Sequence, residues 1–145
     1  MTTDMKIKNI CPVIGMISSG KSSILNALFN MDYLEATPEV TTKIVTIIRY
    51  NTLVKKNPKF FQLSLKKDNN DNYIFYKKHD TEVVGKEKIR DKVKNLNKDL
   101  HQKEPKYEEI FYMLEVGEVN FIEEDFLKNY DLADVPGVSE NTYLF

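Results

Sequence analysis

The 145-residue sequence has few cysteines and histidines and no long apolar run, which are features of secreted, metal-binding and membrane-spanning proteins. Its one cysteine, Cys11, excludes a disulfide within the chain and fits a reducing compartment. Its two histidines, His79 and His101, lack cysteine or carboxylate companions at metal-ligand spacing, which argues against a chelated metal. No apolar run approaches the roughly eighteen residues that a membrane helix needs. We therefore expect a soluble, cytoplasmic protein.

A strong net charge is also lacking, because 21 basic residues are balanced by 22 acidic ones. A chain with a net charge of −1 has no overall field that would attract nucleic acid or an anionic membrane. The hydrophobic content of 41% is that of an ordinary globular protein, and the length suffices for one domain with a core. Nucleic acid is therefore not an expected partner, and any membrane contact is expected to come from regions outside this chain.

Glycine is scarce, with five in the chain, and two of them frame the most informative stretch. Gly15-Met-Ile-Ser-Ser-Gly20-Lys21-Ser22 fits G-x-x-x-x-G-K-[ST], the phosphate-binding P-loop. Its backbone N–H groups can surround a phosphate, Lys21 adds a positive charge, and the Ser22 hydroxyl suits Mg²⁺. A chance glycine-rich turn is the alternative. An apolar run from Ile7 to Ile14 before the loop and helical spacing of apolar residues after it favour the P-loop.

The remaining chain predicts a mixture of strands and one long helix. Asp68–Asn72 is a polar, turn-rich segment between two alternating runs, which predicts a β-hairpin. Apolar residues spaced by three and four predict the helix. The predicted strands are Ile44–Ile48, Phe60–Lys67, Tyr73–Lys78, Ile110–Leu114 and Tyr130–Asp134, and the helix is Ile89–Leu100.

A second motif, Asp134-Val-Pro-Gly137, follows the last predicted strand. A carboxylate at this position can support Mg²⁺ through water, and the glycine N–H can contact a γ-phosphate. Thr41 lies between the two motifs, in a loop that leads into a β-branched strand. A P-loop, a loop threonine and an Asp-x-x-Gly box in this order are typical of a nucleotide-dependent switch.

These motifs resemble those of the dynamin superfamily of large GTPases. Gly15–Ser23 has a serine before the second glycine and a doubled serine after the lysine, Pro38-x-Val-Thr-Thr42 is similar to switch I, and Asp134–Gly137 is similar to the Asp-Leu-Pro-Gly box. The long interval between the motifs also resembles the enlarged dynamin G domain. The resemblance covers nearly the whole chain and implies an α/β fold, a P-loop NTPase-type sheet with flanking helices, that takes GTP and Mg²⁺.

The resemblance also implies residue roles. Nucleotide-binding roles fall on Gly15, Ser18, Ser19, Gly20, Lys21, Ser22, Ser23 and Gly137, metal-binding roles on Ser22, Thr41 and Asp134, and placement of the attacking water on Ser18 and Thr41. If the switch I motif is aligned one residue later in this sequence, these roles fall on Thr42 instead of Thr41. For either threonine, the alternative is an ordinary residue at the start of a strand.

The sequence departs from the family pattern at two points. Ile17 stands where many dynamins have glutamine, and an aliphatic side chain cannot orient water by hydrogen bonding. The sequence reaches Phe145 without a Thr/Asn-Lys-x-Asp motif for guanine. We therefore expect the N-terminal part of an incomplete G domain that binds GTP and hydrolyses it weakly or not at all.

A completed G domain would couple hydrolysis to membrane remodelling, act at the membrane periphery and self-associate. We also expect the isolated 1–145 chain to be insoluble, self-associated or only marginally stable, because an apolar strand is left at an open sheet edge. A non-catalytic remnant or scaffold and an ATP-binding relative are the alternatives.

Overall fold

The computed structural model describes residues 2–13, 21–32, 44–100 and 109–135. These ranges contain eight strands, three α-helices and two short 3-10 helices. The strands are β1 (Thr2–Met5), β2 (Asn9–Val13), β3 (Val45–Tyr50), β4 (Lys59–Lys67), β5 (Tyr73–Lys78), β6 (Val83–Val84), β7 (Phe111–Val116) and β8 (Tyr130–Asp134), and the helices are α1 (Lys21–Leu28), α2 (Lys86–Leu100) and α3 (Glu124–Asn129).

The strands and helices expected from hydrophobic periodicity are confirmed, with boundaries shifted by a few residues. The predicted hairpin forms, because β4 and β5 pair antiparallel with Lys67 opposite Tyr73. Helix α2 begins three residues earlier than expected, directly after Gly85, whose φ of +103° favours glycine. Strands β1 and β6 and helix α3 are additional, since they are short and carry little periodic signal.

The central sheet has the order β4-β7-β3-β8-β2. Strand β2 pairs parallel with β8, and β3 pairs parallel with β7, whereas the β3–β8 and β4–β7 pairs are antiparallel. The carboxyl ends of β2 and β8 therefore lie at the same end of the sheet as the amino ends of β3 and β7. The structure is an α/β fold with a mixed sheet, as the sequence resemblance implies.

The two faces of this sheet are covered differently, and alternate residues along each strand face opposite sides. On β3, Ile48 belongs to the larger core, which also contains Leu25 of α1, Phe29 directly after α1, and Ile89 of α2. The neighbouring Ile47 belongs to a second core on the other face. Among the described residues, no helix is both long and apolar enough to cross a membrane.

The second face is covered by a β-ribbon of β1, β5 and the end of β4. Strand β4 pairs with β7 through Lys59–Gln62 and with β5 through Leu63–Lys67, so it leaves the central sheet halfway along its length. In a flat sheet, β1 and β2 would lie six strand spacings apart, about 29 Å. The chain from Met5 to Asn9 spans at most about 15 Å. The ribbon must therefore fold back, and Met5, Ile7 and Phe75 pack on the second core.

A buried ion pair fixes the segment that joins the ribbon to β2. Asp131 of β8 is fully buried and accepts two hydrogen bonds from Arg49 of β3, from Nε at 3.1 Å and from Nη2 at 2.8 Å. It also accepts a bond of 3.0 Å from the backbone N–H of Lys8. Arg49 Nη2 donates to the carbonyl of Lys6, and Lys8 Nζ donates to the carbonyl of Leu127. This network holds Lys6–Lys8 against β3, α3 and β8.

Candidate functional site

The two strands that lead into the P-loop and the Asp-x-x-Gly box lie side by side. Strands β2 and β8 pair in parallel from Asn9 opposite Tyr130 to Val13 opposite Asp134. The segments that follow both strands therefore start at the same end of the sheet. In sheets with parallel strands, ligands bind outside the carboxyl ends, so this end is the candidate site.

Helix α1 is directed with its amino end toward this site. Its carboxyl end lies at the other end of the sheet, because the backbone N–H of Asn120, after β7, donates to the carbonyl of Leu28 at 2.6 Å. The Asn120 amide also donates to the carbonyl of Ala27 at 3.3 Å. The helix therefore points the positive end of its dipole toward the segment between Val13 and Lys21. Leu25 and Phe29 are buried and hold the helix on the sheet.

Asp134 ends β8 inside the protein, with 1% of its surface exposed. Thr46 of β3 lies directly opposite in the antiparallel β3–β8 pair and is also 1% exposed. Both side chains lie on the helix-covered face, because Ile48 and Leu132, two positions away on each strand, belong to that core. A buried carboxylate at this end of the sheet suits Mg²⁺, which prefers oxygen ligands. Among the described ranges, no cluster of three metal-binding side chains occurs.

The structure describes only some of the predicted site residues. Lys21 and Ser22 occupy the first turn of α1, and Ser23 follows them as an exposed residue. Asp134 is placed as described above. The other predicted positions, Gly15, Ile17, Ser18, Ser19, Gly20, Thr41, Thr42 and Gly137, lie outside the described residues. Their roles remain predictions.

Thr46 is a buried polar residue at this end of the sheet that the sequence interpretation did not select. The predicted strand Ile44–Ile48 contains four β-branched aliphatic residues and this one hydroxyl, so a signal was present. In the parallel pairing of β3 with β7, Thr46 lies beside Tyr112. Tyr112 is 7% exposed, and its ring stacks on that of Phe60 with the centroids 5.2 Å apart. Burial, reinforced by the charge of Glu109, raises the pKa of the Tyr112 hydroxyl, so it stays protonated at neutral pH.

A cleft of about 420 Å³ lies at the carboxyl end of α1. Its lining includes Lys86 and Arg90 of α2, and Arg90 Nη2 contacts Asp32 Oδ2 at 2.6 Å. The hydrogen bond from Arg90 lowers the pKa of the Asp32 carboxyl. This cleft is separated from the ends of β2 and β8 by the length of α1, so it is not the phosphate site.

Comparison with known protein families gives a match that includes both the P-loop sequence and the Asp-x-x-Gly box. A sequence model of the dynamin family matches residues 12–143. The chain belongs to the dynamin family. The match extends from the end of β2 past the Asp134–Gly137 box, and it identifies the chain as the N-terminal part of a dynamin-like GTPase domain. Domains of this dynamin family bind GTP and Mg²⁺ in general. No curated protein matches the chain.

Proposed function

We propose that the chain forms the phosphate- and Mg²⁺-binding part of a dynamin-type GTPase domain of the P-loop class. The observation that carries the proposal is the parallel pairing of β2 with β8, in which Val13 lies opposite Asp134. This pairing starts the P-loop and the Asp-x-x-Gly box at neighbouring points of one sheet end. The two motifs are more than one hundred residues apart in the sequence, and a shared phosphate site would explain why the strands that precede them pair.

The residue roles in this proposal are those that the resemblance to the dynamin superfamily implies. The amino end of α1 and the loop before it would hold the phosphates, with Lys21 supplying charge. Ser22, Thr41 and Asp134 would support Mg²⁺, and Gly137 would contact the γ-phosphate. Mg²⁺, when bound, neutralises negative charge on the β- and γ-phosphates. Ser18 and Thr41 would place the attacking water.

In this proposal, GTP binding and GTP hydrolysis depend on different residues. Binding needs the loop, Lys21 and Asp134, whereas turnover needs an ordered water, and Ile17 cannot hydrogen-bond one. We therefore propose a GTP-binding chain with slow hydrolysis. In a complete G domain, nucleotide turnover would drive conformational change in membrane remodelling, in a cytoplasmic protein that contacts membranes at their periphery and self-associates through G domains.

Titration with a fluorescent GTP analogue tests the proposal. Lys21→Ala should abolish binding, because no other cation of the motif replaces its charge-assisted contacts. Lys94→Ala is the matched control, since Lys94 is an exposed lysine of α2. Binding by Lys21→Ala within a few-fold of the wild-type chain would refute the P-loop assignment, and competition by ATP as strong as by GTP would favour an ATP-binding relative.

A further inference from the structure

The end of the sheet opposite the candidate phosphate site carries two apolar side chains that are almost fully exposed. Leu53, in the loop after β3, is 85% exposed, and Phe121, in the loop after β7, is 91% exposed. Both loops lie at this end because β3 pairs parallel with β7 and antiparallel with β8. The loops also touch, since a Cβ added to Gly117 would lie 2.5 Å from the backbone N and O of Lys55. The distal surface consists of these two loops, residues 51–57 and 117–123, and of the start of α3.

The two exposed apolar residues stand on an anchored base. Val54, directly after Leu53, is 7% exposed, and Ile122, directly after Phe121, packs against the larger core. Phe121 also has a φ of +66°, a left-handed backbone conformation that bulky residues rarely adopt. Because its side chain is 91% exposed, packing within the described residues does not compensate for this strain. Contact with another molecule would bury both side chains, and exposed apolar patches commonly mark such interaction surfaces.

Charged side chains of both signs flank the apolar pair. Lys55 and Lys56, on the first loop, are exposed, and neither forms an ion pair with another described residue. Glu123 and Glu124, at the end of the second loop and the start of α3, are also exposed. The Tyr50 hydroxyl donates to Glu124 Oε1 at 3.1 Å, which places the acidic residues beside the last residue of β3. The distal surface therefore has a basic part and an acidic part next to each other.

We propose that the distal surface binds a second copy of this chain in a two-fold symmetric dimer. In an isologous interface the same surface is used by both copies, so the two lysines of each copy face the two glutamates of the other. Leu53 and Phe121 are then buried between the copies as the apolar centre of the interface. The paired charges favour a second copy over an anionic membrane, which the glutamates would repel. The dimer leaves the candidate phosphate site open, because that site lies at the other end of the sheet.

Sedimentation velocity of the 145-residue chain without nucleotide tests this proposal independently of GTP binding. The wild-type chain should show a concentration-dependent equilibrium between monomer and dimer. Lys55→Glu/Lys56→Glu and Glu123→Lys/Glu124→Lys should each stay monomeric where the wild-type chain dimerises, because like charges then face each other in both halves of the interface. An equimolar mixture of the two charge-reversed chains should dimerise again, because opposite charges then face each other in both halves.

The apolar centre is tested by Phe121→Gly, which removes the side chain and tolerates the left-handed φ. This variant should raise the dimer Kd by about tenfold or more and leave the urea midpoint of the monomer unchanged. Tyr73→Ser is the matched control, since Tyr73 is a 64% exposed aromatic residue of the ribbon, and its Kd should equal that of the wild-type chain. A wild-type chain that stays monomeric up to about 1 mM would overturn the proposal. A mixture of charge-reversed chains that stays monomeric would also overturn it. Association of each charge-reversed chain by itself, as strong as in the wild type, would place the contact on another surface and overturn it as well.

Discussion

The ion pair between Arg49 and Asp131 should control the stability of the whole fold. Asp131 is 0% exposed and accepts three hydrogen bonds, two of them from Arg49. Removing Arg49 leaves the buried Asp131 carboxylate uncompensated, and removing Asp131 leaves Arg49, whose side chain is 15% exposed, without its carboxylate. Breaking a buried pair in this way costs about 3–5 kcal/mol. Domains have total stabilities of only about 5–15 kcal/mol. We therefore expect Asp131→Leu and Arg49→Met each to remove a large fraction of the free energy of unfolding.

The double variant distinguishes the net contribution of the ion pair from the cost of leaving one of its charges unpaired. Replacing both members by apolar residues is often neutral or stabilising, so Arg49→Met/Asp131→Leu should recover most of the loss. The free energy of unfolding of Arg49→Lys should lie between those of the single and double variants, because lysine keeps the charge but cannot form the bidentate hydrogen bonds of arginine. The exposed Asp125–Lys128 pair is the control, and Asp125→Ala should change stability by less than about 1 kcal/mol.

Urea unfolding followed by far-ultraviolet circular dichroism measures these effects. With a slope of about 1–3 kcal/mol per molar urea, a loss of 3–5 kcal/mol lowers the midpoint by about 1 M or more. The chain has no tryptophan, so circular dichroism is preferable to fluorescence. A loss below about 1 kcal/mol for Asp131→Leu would show that the network does not hold the linker as argued, and additive single variants would show that the two residues act separately.

Three further predictions follow from other residues. GTP hydrolysis by the wild-type chain should be slower than about one per second, because Ile17 cannot orient water, and phosphate release at that rate or faster would show that other groups do so. The hydrogen bond from Lys77 lowers the pKa of Glu82 below its ordinary value of 4.5, so its stabilisation is present above that pH and is lost as the pH falls through the lowered pKa. Glu82→Gln should therefore have a lower free energy of unfolding than the wild-type chain at pH 7. At a pH below the lowered pKa of Glu82, the two chains should have the same free energy of unfolding. An equal loss at pH 7 and at the acid pH would contradict the assignment. Gly117→Ala should lower the free energy of unfolding by about 1–3 kcal/mol, because its Cβ would lie 2.5 Å from the backbone N and O of Lys55, and an unchanged urea midpoint would show that this contact relaxes.

Much of the architecture could be predicted from the sequence because local patterns encode it. The alternation in Phe60–Lys67, the turn residues Asp68–Asn72 and the spacing in Ile89–Leu100 each report on their own segment, and each is confirmed. Family membership was also predicted from short motifs and is confirmed. Asp134 was selected for its motif, and its burial agrees with a role inside the site, although that role remains a prediction.

The features that escaped prediction depend on contacts between distant segments. The bend of β4 into the ribbon follows from the short link between Met5 and Asn9, which matters only when the strand order is known. The pairing of Arg49 with Asp131 and of Thr46 with Asp134 depends on the register between β3 and β8. A one-residue slip in that register would turn each side chain to the opposite face. Neither residue spacing nor composition specifies such a register.

The parallel pairing of β2 with β8 also affects the order of events during synthesis. The two strands are separated by about 120 residues, so at a translation rate of about 5–20 residues per second β2 waits roughly 6–24 s for its partner. The β4–β5 hairpin needs only its own turn and can form on a microsecond timescale. The ribbon should therefore be in place on the nascent chain well before the nucleotide end of the sheet closes. During that interval, β2 and β3 both lack their partner strands, and these segments are ones that a chaperone would have to shield.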